Sequence, residues 1–444
     1  MVRKGASSPR RKTPKPAAHR ARVRVVVLDG DLRKRVRHAT VWIGRHRLHT
    51  DRRGRATIRL VPRAAFVRFR ARGYTPSSRR WNFARFPTFT FRVYQPRLQW
   101  TMYGAVPART QVHPGLRLRP PFRTLFAVKN HDLIEFPAVI WDGVGYISNK
   151  SGTIRAFSMR RGNVIWRRYT HTKMASSLAV WGDKLVAHGM GDGRVRVLAR
   201  RTGRLLSTIT IGSAIESSPV IRDGIDYLGA RNGRVYALDL PRRRIRWSYS
   251  SGAKITASVS LAGNRAYLGN YGGRVLALDA RTGRLRWSSS VNGRVYGTAP
   301  VMGGRLFVPS STGGSVTAFS IGGRRLWSFQ TGAYVYSSPA AWHGRVIFGS
   351  YNAVLYCLSA SSGRVLWTVP VRGAISGAVE VVDGIAYASS FSGRTVGVDV
   401  RSGRVVFRYP HGHYVPISGN GGRLLLHGFQ TLWALEPRPR RKRH

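Results

Sequence analysis

The stretch Ala277-Leu278-Asp279-Ala280-Arg281-Thr282-Gly283-Arg284-Leu285-Arg286-Trp287 decides the fold, because versions of it recur along the chain. Its glycine returns at Gly162, Gly203, Gly323, Gly363 and Gly403, and in most copies a bulky aromatic stands four residues later. The residues at this aromatic position are Phe126, Trp166, Ser207, Trp247, Trp287, Trp327, Trp367 and Phe407. They are spaced by 40 residues, with a single interval of 41. Eight positions at this spacing predict eight structural repeats.

Each repeat contains four short apolar runs separated by turn signals. In one repeat the first three runs begin at Val220, Tyr227 and Val235, and the fourth ends at Trp247. Turn signals stand at Asp223-Gly224 and Asn232-Gly233. A period of about 40 residues with four strands per unit is typical of a β-propeller. The last repeat supplies only three strands, which end at Leu432-Trp433-Ala434-Leu435. We therefore expect residues 122–128, one period before Trp166, to pair beside that strand and close the ring, which removes an open sheet edge.

The region before the repeats has a different pattern. Residues 1–22 are rich in basic residues and proline, which predicts a disordered tail. Residues 23–96 contain short alternating strands, which predict a small β-sandwich. Val27-Leu28-Asp29-Gly30, Ala39-Thr40-Val41, Thr50-Asp51 and Ala71-Arg72-Gly73-Tyr74 give this part a resemblance to the carboxypeptidase-regulatory-like, transthyretin-like sandwich, which implies a spacer or adhesion module.

The predicted class is therefore all-β: an eight-bladed propeller with four-stranded blades, closed by an N-terminal strand and preceded by a β-sandwich. The propeller is expected over residues 122–437. A linker or lead-in occupies residues 97–121, and a basic tail occupies residues 438–444.

The repeated stretch resembles the docking motif of the quinoprotein, or pyrroloquinoline quinone (PQQ)-binding-like, β-propeller family. Further copies run over residues 156–166, 237–247, 357–367 and 397–407. The resemblance implies that the indoles pack on the neighbouring blade and that the Asp and Thr-Gly residues shape the turn beneath. The structural residues implied are Phe126, Trp166, Trp247, Trp287, Trp327, Trp367, Phe407, Asp239, Asp279 and Asp399.

The dehydrogenases of this family differ from the present chain. They use a vicinal cysteine disulfide and a carboxylate and amide set that holds a metal, whereas this chain has one cysteine, Cys357, and 17 acidic residues, several at repeated turn positions. We therefore expect no catalytic residue, no cofactor-binding residue, no metal site and no cofactor. The function expected first is a non-enzymatic scaffold that binds proteins or envelope polymers through the propeller faces, without a small-molecule substrate. A PQQ-dependent dehydrogenase is the least favoured class.

The charge supports an alternative function. The chain has 76 Lys and Arg against 17 Asp and Glu, a formal net charge of +59. Such an excess favours binding to nucleic acid or another acidic polymer. Arginines recur at two kinds of turn that lie on opposite propeller faces, which argues against one dedicated groove.

The sequence leaves the compartment open. No run approaches the roughly 18 to 20 apolar residues of a membrane-spanning helix, so we expect no transmembrane segment. The family resemblance favours the cell envelope. However, the basic start lacks the apolar segment of an export signal, and no cysteine near it could carry a lipid, so a cytoplasmic location is the other expectation.

Overall fold

The computed structural model describes residues 19–438 of the 444-residue chain. These residues fall into two compact units whose boundary lies between Gln95 and Pro96. Apart from a short 3-10 helix at Pro96–Leu98, the regular structure in this range is β-strand. No helix between residues 19 and 438 is long and apolar enough to cross a membrane. The predicted basic tails fall outside the described residues except for residues 19–22 and Arg438. Ala21 and Arg22 begin the first strand, so ordered structure begins before the predicted boundary at residue 23.

The first unit is a β-sandwich of two sheets. Its strands are β1 (Ala21–Asp29), β2 (Thr40–Ile43), β3 (His46–His49), β4 (Arg55–Leu60), β5 (Ala64–Arg70), β6 (Ser77–Asn82) and β7 (Thr88–Val93). One sheet has the order β4-β1-β7 and the other β3-β2-β5-β6. Both bury side chains in one core, with Val25 and Phe91 from the first sheet and Val41 and Phe69 from the second. Membership of the carboxypeptidase-regulatory-like family stays a prediction.

The second unit contains eight sheets, which follow one another along the chain. Two early strands, β8 (Val112–His113) and β9 (Phe122–Lys129), join sheets formed much later in the sequence. The first four sheets, from innermost to outermost strand, consist of β10 (Val139–Trp141), β11 (Val144–Ser148), β12 (Thr153–Ser158) and β13 (Val164–Tyr169); β14 (Ala179–Trp181), β15 (Lys184–His188), β16 (Arg194–Ala199) and β17 (Leu205–Thr210); β18 (Val220–Arg222), β19 (Ile225–Gly229), β20 (Arg234–Asp239) and β21 (Arg244–Ser250); and β22 (Ser260–Ala262), β23 (Arg265–Gly269), β24 (Arg274–Asp279) and β25 (Leu285–Ser290).

The other four sheets complete the series. They consist of β26 (Val301–Met302), β27 (Arg305–Ser310), β28 (Ser315–Ser320) and β29 (Arg325–Gln330); β30 (Ala340–Trp342), β31 (Arg345–Gly349), β32 (Val354–Ser359) and β33 (Val365–Pro370); β34 (Glu380–Val382), β35 (Ile385–Ser390), β36 (Arg394–Asp399) and β37 (Val405–Tyr409), with β8 parallel to β34; and β38 (Ile417–Asn420), β39 (Arg423–His427), β40 (Thr431–Pro437) and β9. The strands within each sheet are otherwise antiparallel, as expected for propeller blades.

The ring is closed by the early strand β9. It pairs antiparallel with β40, with Phe126 opposite Ala434, and this confirms the predicted pairing of residues 122–128 with the end of the chain. The Arg123 guanidinium forms an ion pair with Glu436 beside this seam. On the inside, β10 lies next to both β14 and β38, so the first and last sheets are neighbours. Closure gives the last sheet its fourth strand, so the edge of β40 is not open to a second chain.

Candidate functional site: the mouth of the central channel

The aromatic residues predicted from the repeat lie at the periphery, between consecutive sheets. We call the set the outer belt: Phe126, Trp166, Trp247, Trp287, Trp327, Trp367 and Phe407. Trp327 Nε1 donates a hydrogen bond of 3.1 Å to the Ala360 carbonyl of the next sheet, and Trp367 Nε1 one of 2.9 Å to the Val400 carbonyl. Trp166, Trp247 and Trp287 make the corresponding bond. These residues connect sheets and do not converge on one site.

Each indole also covers a glycine of the next sheet. A Cβ placed on Gly363 would lie 2.7 Å from the Trp327 ring, and Gly363 has φ +74°. Both facts require glycine at this position. The repeat that has Ser207 in place of an aromatic shows the converse. In the next sheet, Arg243 stands where the other repeats have the glycine, and it also has a positive φ. A side chain fits there because no ring occupies the space above it.

The predicted aspartates shape turns in the same belt. Asp279 accepts hydrogen bonds from the backbone N–H groups of Arg281 and Thr282 and from the Thr282 hydroxyl, and Arg286 donates to it at 2.6 Å. These donors hold the pKa of Asp279 well below its usual value. Asp239 and Asp399 accept backbone N–H groups in the same way. Their role is therefore in local structure, and none of them reaches the channel cavity.

The channel itself is plugged by the lead-in segment, residues 100–111, which we call the plug. Innermost strands have one edge without a neighbouring strand, so their N–H groups need other acceptors. Six carbonyls of the plug supply them, each to a different sheet. The donor and acceptor pairs are Ile140 to Trp100, Val180 to Thr101, Leu261 to Pro107, Val301 to Ala108, Ala341 to Thr110 and Val381 to Gln111.

Arg109 fastens the plug to the third and fourth sheets. Its side chain is fully buried and donates to the carbonyls of Ser218 and Pro219, both at 2.9 Å, and of Val259 at 3.1 Å. It also donates to the carbonyl of Tyr103, and its guanidinium lies 5.5 Å from the Tyr103 ring centre. Burial lowers the pKa of Arg109 to about 10, although Tyr103, Asp226 and Glu380 favour the charged form.

Two buried acids accompany this arginine. Asp226 accepts a 2.7 Å hydrogen bond from His188, and both side chains are fully buried. Glu380 is fully buried as well, and neither of its carboxylate oxygens has a hydrogen-bond partner among the described residues. Burial raises the pKa of Glu380 well above its usual value, and Arg109 only partly opposes this. Burial therefore favours the protonated form of Glu380.

Above the plug, hydroxyl groups join five consecutive sheets. The N–H groups of Ser177, Ser218, Ser258 and Thr298 donate to the side-chain oxygens of Ser218, Ser258, Thr298 and Ser338, respectively, over 2.8 to 3.1 Å. The Tyr103 hydroxyl of the plug donates to Ser338 at 2.9 Å. These hydroxyl groups are therefore structural connections between blades. Ser338, with Tyr103 of the plug, forms the floor of the space at the channel mouth.

The space above this floor is a cavity that we call the funnel. One residue from each sheet lines it, three to five positions before the innermost strand. In sheet order these residues are Glu135, Ala175, Glu216, Thr256, Tyr296, Tyr336, Ser376 and Tyr414. Tyr103 and Ser338 line the funnel from below. Among the described residues, its lining contains no lysine or arginine.

The two funnel glutamates differ in their surroundings. Glu216 forms an ion pair with Arg231, whereas Glu135 has no hydrogen bond or ion pair among the described residues. Burial raises the pKa of Glu135, Glu216 and Asp132 raise it further, and Lys150 opposes them. The same two glutamates, together with burial, raise the pKa of Tyr296. The charged side chains that line the funnel are thus both acidic.

The rim of the funnel carries aromatic side chains along sheets four to eight. We call this set the crescent: Tyr271, Tyr296, Tyr334, Tyr336, Tyr351, Phe391, His413, Tyr414 and Phe429. Its rings are in contact one after another. The centroid distances are 5.5 Å for Tyr296 and Tyr336, 5.1 Å for Tyr336 and Tyr351, and 5.9 Å for Tyr351 and Phe391. Tyr334 is 51% exposed and Phe429 48%, so much of this aromatic surface faces solvent.

Comparison with known proteins places the fold in a family. A family model described as outer membrane protein assembly factor BamB matches residues 150–298, 231–336 and 312–436, more than half of the chain. The chain belongs to this family of PQQ-like β-propellers. This confirms the prediction from the sequence that the chain is an all-β, PQQ-like β-propeller.

Solved structures agree with this assignment at the level of the fold. The BamB-family chain superimposes on BamB from Moraxella catarrhalis with a TM-score of 0.62 at 16% identity, over 73% of this chain and 100% of that one. It superimposes on a quinohemoprotein alcohol dehydrogenase from Comamonas testosteroni with a TM-score of 0.64 at 13% identity, over 78% and 82% of the two chains.

One curated relative is similar in sequence over a short segment. The quinoprotein alcohol dehydrogenase PedE of Pseudomonas putida is 31% identical over 80 residues, which are 18% of this chain and 13% of that enzyme. A match to so small a part of the dehydrogenase supports the repeat and carries no activity with it.

The funnel does not fit the quinone of those dehydrogenases. Pyrroloquinoline quinone is a polycarboxylate, so its site needs cationic or N–H donors. The described lining offers two carboxylates instead. Cys357, the single cysteine, is fully buried on β32 outside the funnel. Within residues 19–438, no three or more His, Cys, Asp or Glu side chains are grouped so that they could hold a metal ion.

Sequence reasoning missed the plug, the funnel and the crescent. The eight funnel positions share no residue type, so the repeat search that found the outer belt passes over them. The usable signal is that the same alignment assigns Glu135 and Glu216 to one register position, together with Tyr296 and Tyr336.

Proposed function

We propose that this BamB-family propeller is a non-enzymatic scaffold that binds a protein partner at the crescent. The observation that carries this proposal is the continuous exposed aromatic surface on one side of the funnel mouth. Tyrosine and phenylalanine are enriched at the centres of protein interfaces, where they bury a large area at little entropic cost. Soluble proteins rarely expose such a contiguous surface without a binding role.

Two further features support the crescent as a binding surface. Its rings fix each other through edge-on and tilted contacts, so little side-chain entropy is lost when a partner binds. Lys254 lies 4.6 Å and Arg294 5.7 Å from the Tyr271 ring centre, which adds cationic groups at one end. The absence of an enzymatic role is part of the proposal, and the misfit between the funnel and the quinone supports it.

The proposal is tested by site-specific cross-linking in cells of the source organism. A photoreactive phenylalanine analogue is placed at Phe391 or Phe429 in the crescent. Matched controls carry it at Val164 or Ile165, which are similarly exposed but lie on the outer strand β13. We expect a cross-link to one protein from the crescent positions and none from β13. Equal cross-linking from both surfaces would contradict the proposal.

The partner found in this way is then purified for binding measurements. We expect Tyr334→Ala and Phe391→Ala each to weaken its affinity about tenfold or more, as for aromatic hot spots, while Ile165→Ala leaves it unchanged. Unchanged affinity in both crescent variants would reject the site. Incubation with pyrroloquinoline quinone and calcium is expected to give neither a bound chromophore nor dye reduction, and the appearance of both would show a quinone enzyme.

The alternative is binding to an anionic polymer. It is favoured by exposed arginines at the turn before five of the outer strands: Arg204, Arg284, Arg324, Arg364 and Arg404. Binding of this kind depends steeply on salt, because phosphate contacts release counterions. Retention of the full chain on heparin or DNA should then fall sharply between about 50 and 200 mM salt, and a shallow dependence would exclude it.

A further inference from the structure

We propose that the funnel binds an organic cation, an ammonium or guanidinium headgroup, through Glu135, Glu216 and the faces of its tyrosines. This inference goes beyond the protein-binding role proposed above and does not require the crescent to have a partner. Free amines and the basic side chains of peptides share this chemistry.

The charge of the funnel favours a cationic ligand. The whole chain carries a formal charge of +59, so a position chosen at random on its surface favours anions. The funnel has the opposite preference, because the charged residues of its described lining are the two glutamates. Attraction over a few ångströms in a partly enclosed cavity is stronger than in bulk water.

The Glu135 carboxylate has no partner among the described funnel residues. Glu135 is partly buried and makes no hydrogen bond or ion pair within the described residues, although Lys150 lies close enough to influence it. Buried charges are normally paired. A cation in the funnel would supply the missing partner, while Glu216 would contribute through the oxygen that Arg231 does not hold.

The funnel is also lined by tyrosine side chains. Tyr103, Tyr296, Tyr336 and Tyr414 line the same cavity as the glutamates. Aromatic faces attract cations, and several rings around one carboxylate-bearing pocket is the arrangement that recognises quaternary ammonium groups. The Thr256 hydroxyl gives independent support. Thr256 is 6% exposed, lines the funnel, and its oxygen has no hydrogen-bond partner, so it can accept an N–H from a guanidinium.

The lining favours an organic cation over a metal ion. Calcium takes six to eight oxygen ligands, whereas the described residues contain no group of three metal-ligating side chains. Two carboxylates on one side and tyrosine faces on the other suit a weakly hydrated headgroup that needs partial desolvation.

The proposal implies a pH dependence. Because burial, Glu216 and Asp132 raise the pKa of Glu135 against the opposing Lys150, its ionised form is disfavoured in the empty funnel. A bound cation lowers that pKa. Binding should therefore tighten as pH rises through the pKa of Glu135 in the free protein, and it should release protons.

Calorimetric titration of the full chain tests the inference with matched pairs of probes. Choline is compared with its neutral isostere 3,3-dimethyl-1-butanol, and argininamide with citrullinamide. We expect at least one cation to bind at least about tenfold more tightly than its neutral counterpart. Equal affinity within both pairs, no binding of either cation at millimolar concentration, or displacement of choline by equimolar calcium would each overturn the proposal.

Isosteric variants locate the site. Glu135→Gln should weaken cation binding about tenfold and raise the melting temperature, because it removes a disfavoured charge. This combination distinguishes a binding carboxylate from a structural one. Glu216→Gln should also weaken binding. Asp183→Asn is the matched control, since Asp183 is exposed at the other end of its innermost strand, and its affinity should equal that of the wild type. If Glu135→Gln binds choline like the wild type, the site is wrong.

Discussion

The outer belt and the funnel mouth are built by the same eight repeats, yet the first repeats its residues and the second does not. Along the belt, an aromatic ring covers a glycine of the next sheet in nearly every blade, because each junction solves the same packing problem. At the mouth, the equivalent positions hold glutamate, alanine, threonine, serine or tyrosine. The comparison teaches that regularity marks the structural requirement, whereas divergence at a shared position marks where a chain can carry its own chemistry.

The largest effect on stability is expected beneath the mouth. Arg109→Leu should lower the free energy of unfolding by about 3 to 5 kcal/mol, because it leaves the four buried carbonyls to which Arg109 donates without a donor. Urea denaturation measures the change. A loss below about 1 kcal/mol, as for a surface substitution, would show that the plug is held by its backbone alone.

A smaller loss is expected in the belt. Trp327→Ala should cost about 3 kcal/mol, at the low end for a tryptophan because the ring is only half-buried, and choline binding should stay unchanged. The double variant with Gly363→Ala sharpens the comparison. Removing the indole relieves the steric part of the glycine requirement, so the two losses should be less than additive. Strict additivity would contradict the contact between the ring and the glycine.

Glu380 predicts how stability responds to pH. Its folded-state pKa is raised above the ordinary 4.5, so the unfolded chain gives up this proton first. The stabilising contribution is fully present below about pH 4.5 and is lost as pH rises toward the folded-state pKa. Glu380→Gln should flatten the fall in melting temperature above pH 4.5 and be more stable at neutral pH. A Gln variant with the wild-type slope would show that Glu380 is ionised in the folded chain.

The smallest effect on stability is expected at the rim. Tyr334→Ser alters an exposed ring and should change the free energy of unfolding by no more than about 0.5 kcal/mol. Its effect on partner affinity should nevertheless be large if the crescent is the docking surface. Thermal denaturation measures the first quantity. A loss of several kcal/mol in the free energy of unfolding would show that Tyr334 is part of the structural framework, like the residues of the outer belt.

The sequence predicted the features that identical residues encode. The spacing of Phe126 from Trp166 was sufficient to predict that residues 122–128 pair with the last strand, because closure follows from the repeat number and from the missing fourth strand. The plug could not be predicted in this way. Its contacts with the innermost strands use backbone carbonyls of Trp100, Pro107 and Gln111, and a carbonyl leaves no mark in the residue type.

The funnel lay outside prediction for a different reason. Glu135 and Glu216 are 81 positions apart in the sequence, and neither belongs to a motif. They line one cavity because the first and third sheets face a common axis. This can be inferred only when the repeat alignment is placed on the closed propeller. The same applies to Arg109, whose role depends on carbonyls of Ser218, Pro219 and Val259, over 100 residues away.

The seam between β9 and β40 has a consequence for biosynthesis. During translation β9 is made long before its hydrogen-bonding partner β40, which is complete only at Pro437. Until β40 emerges, the nascent chain carries an incomplete array of blades, with strand edges available to other polypeptides. Closure of the toroid therefore waits for β40, and a holding chaperone that shields β9 until then should raise the yield of folded protein.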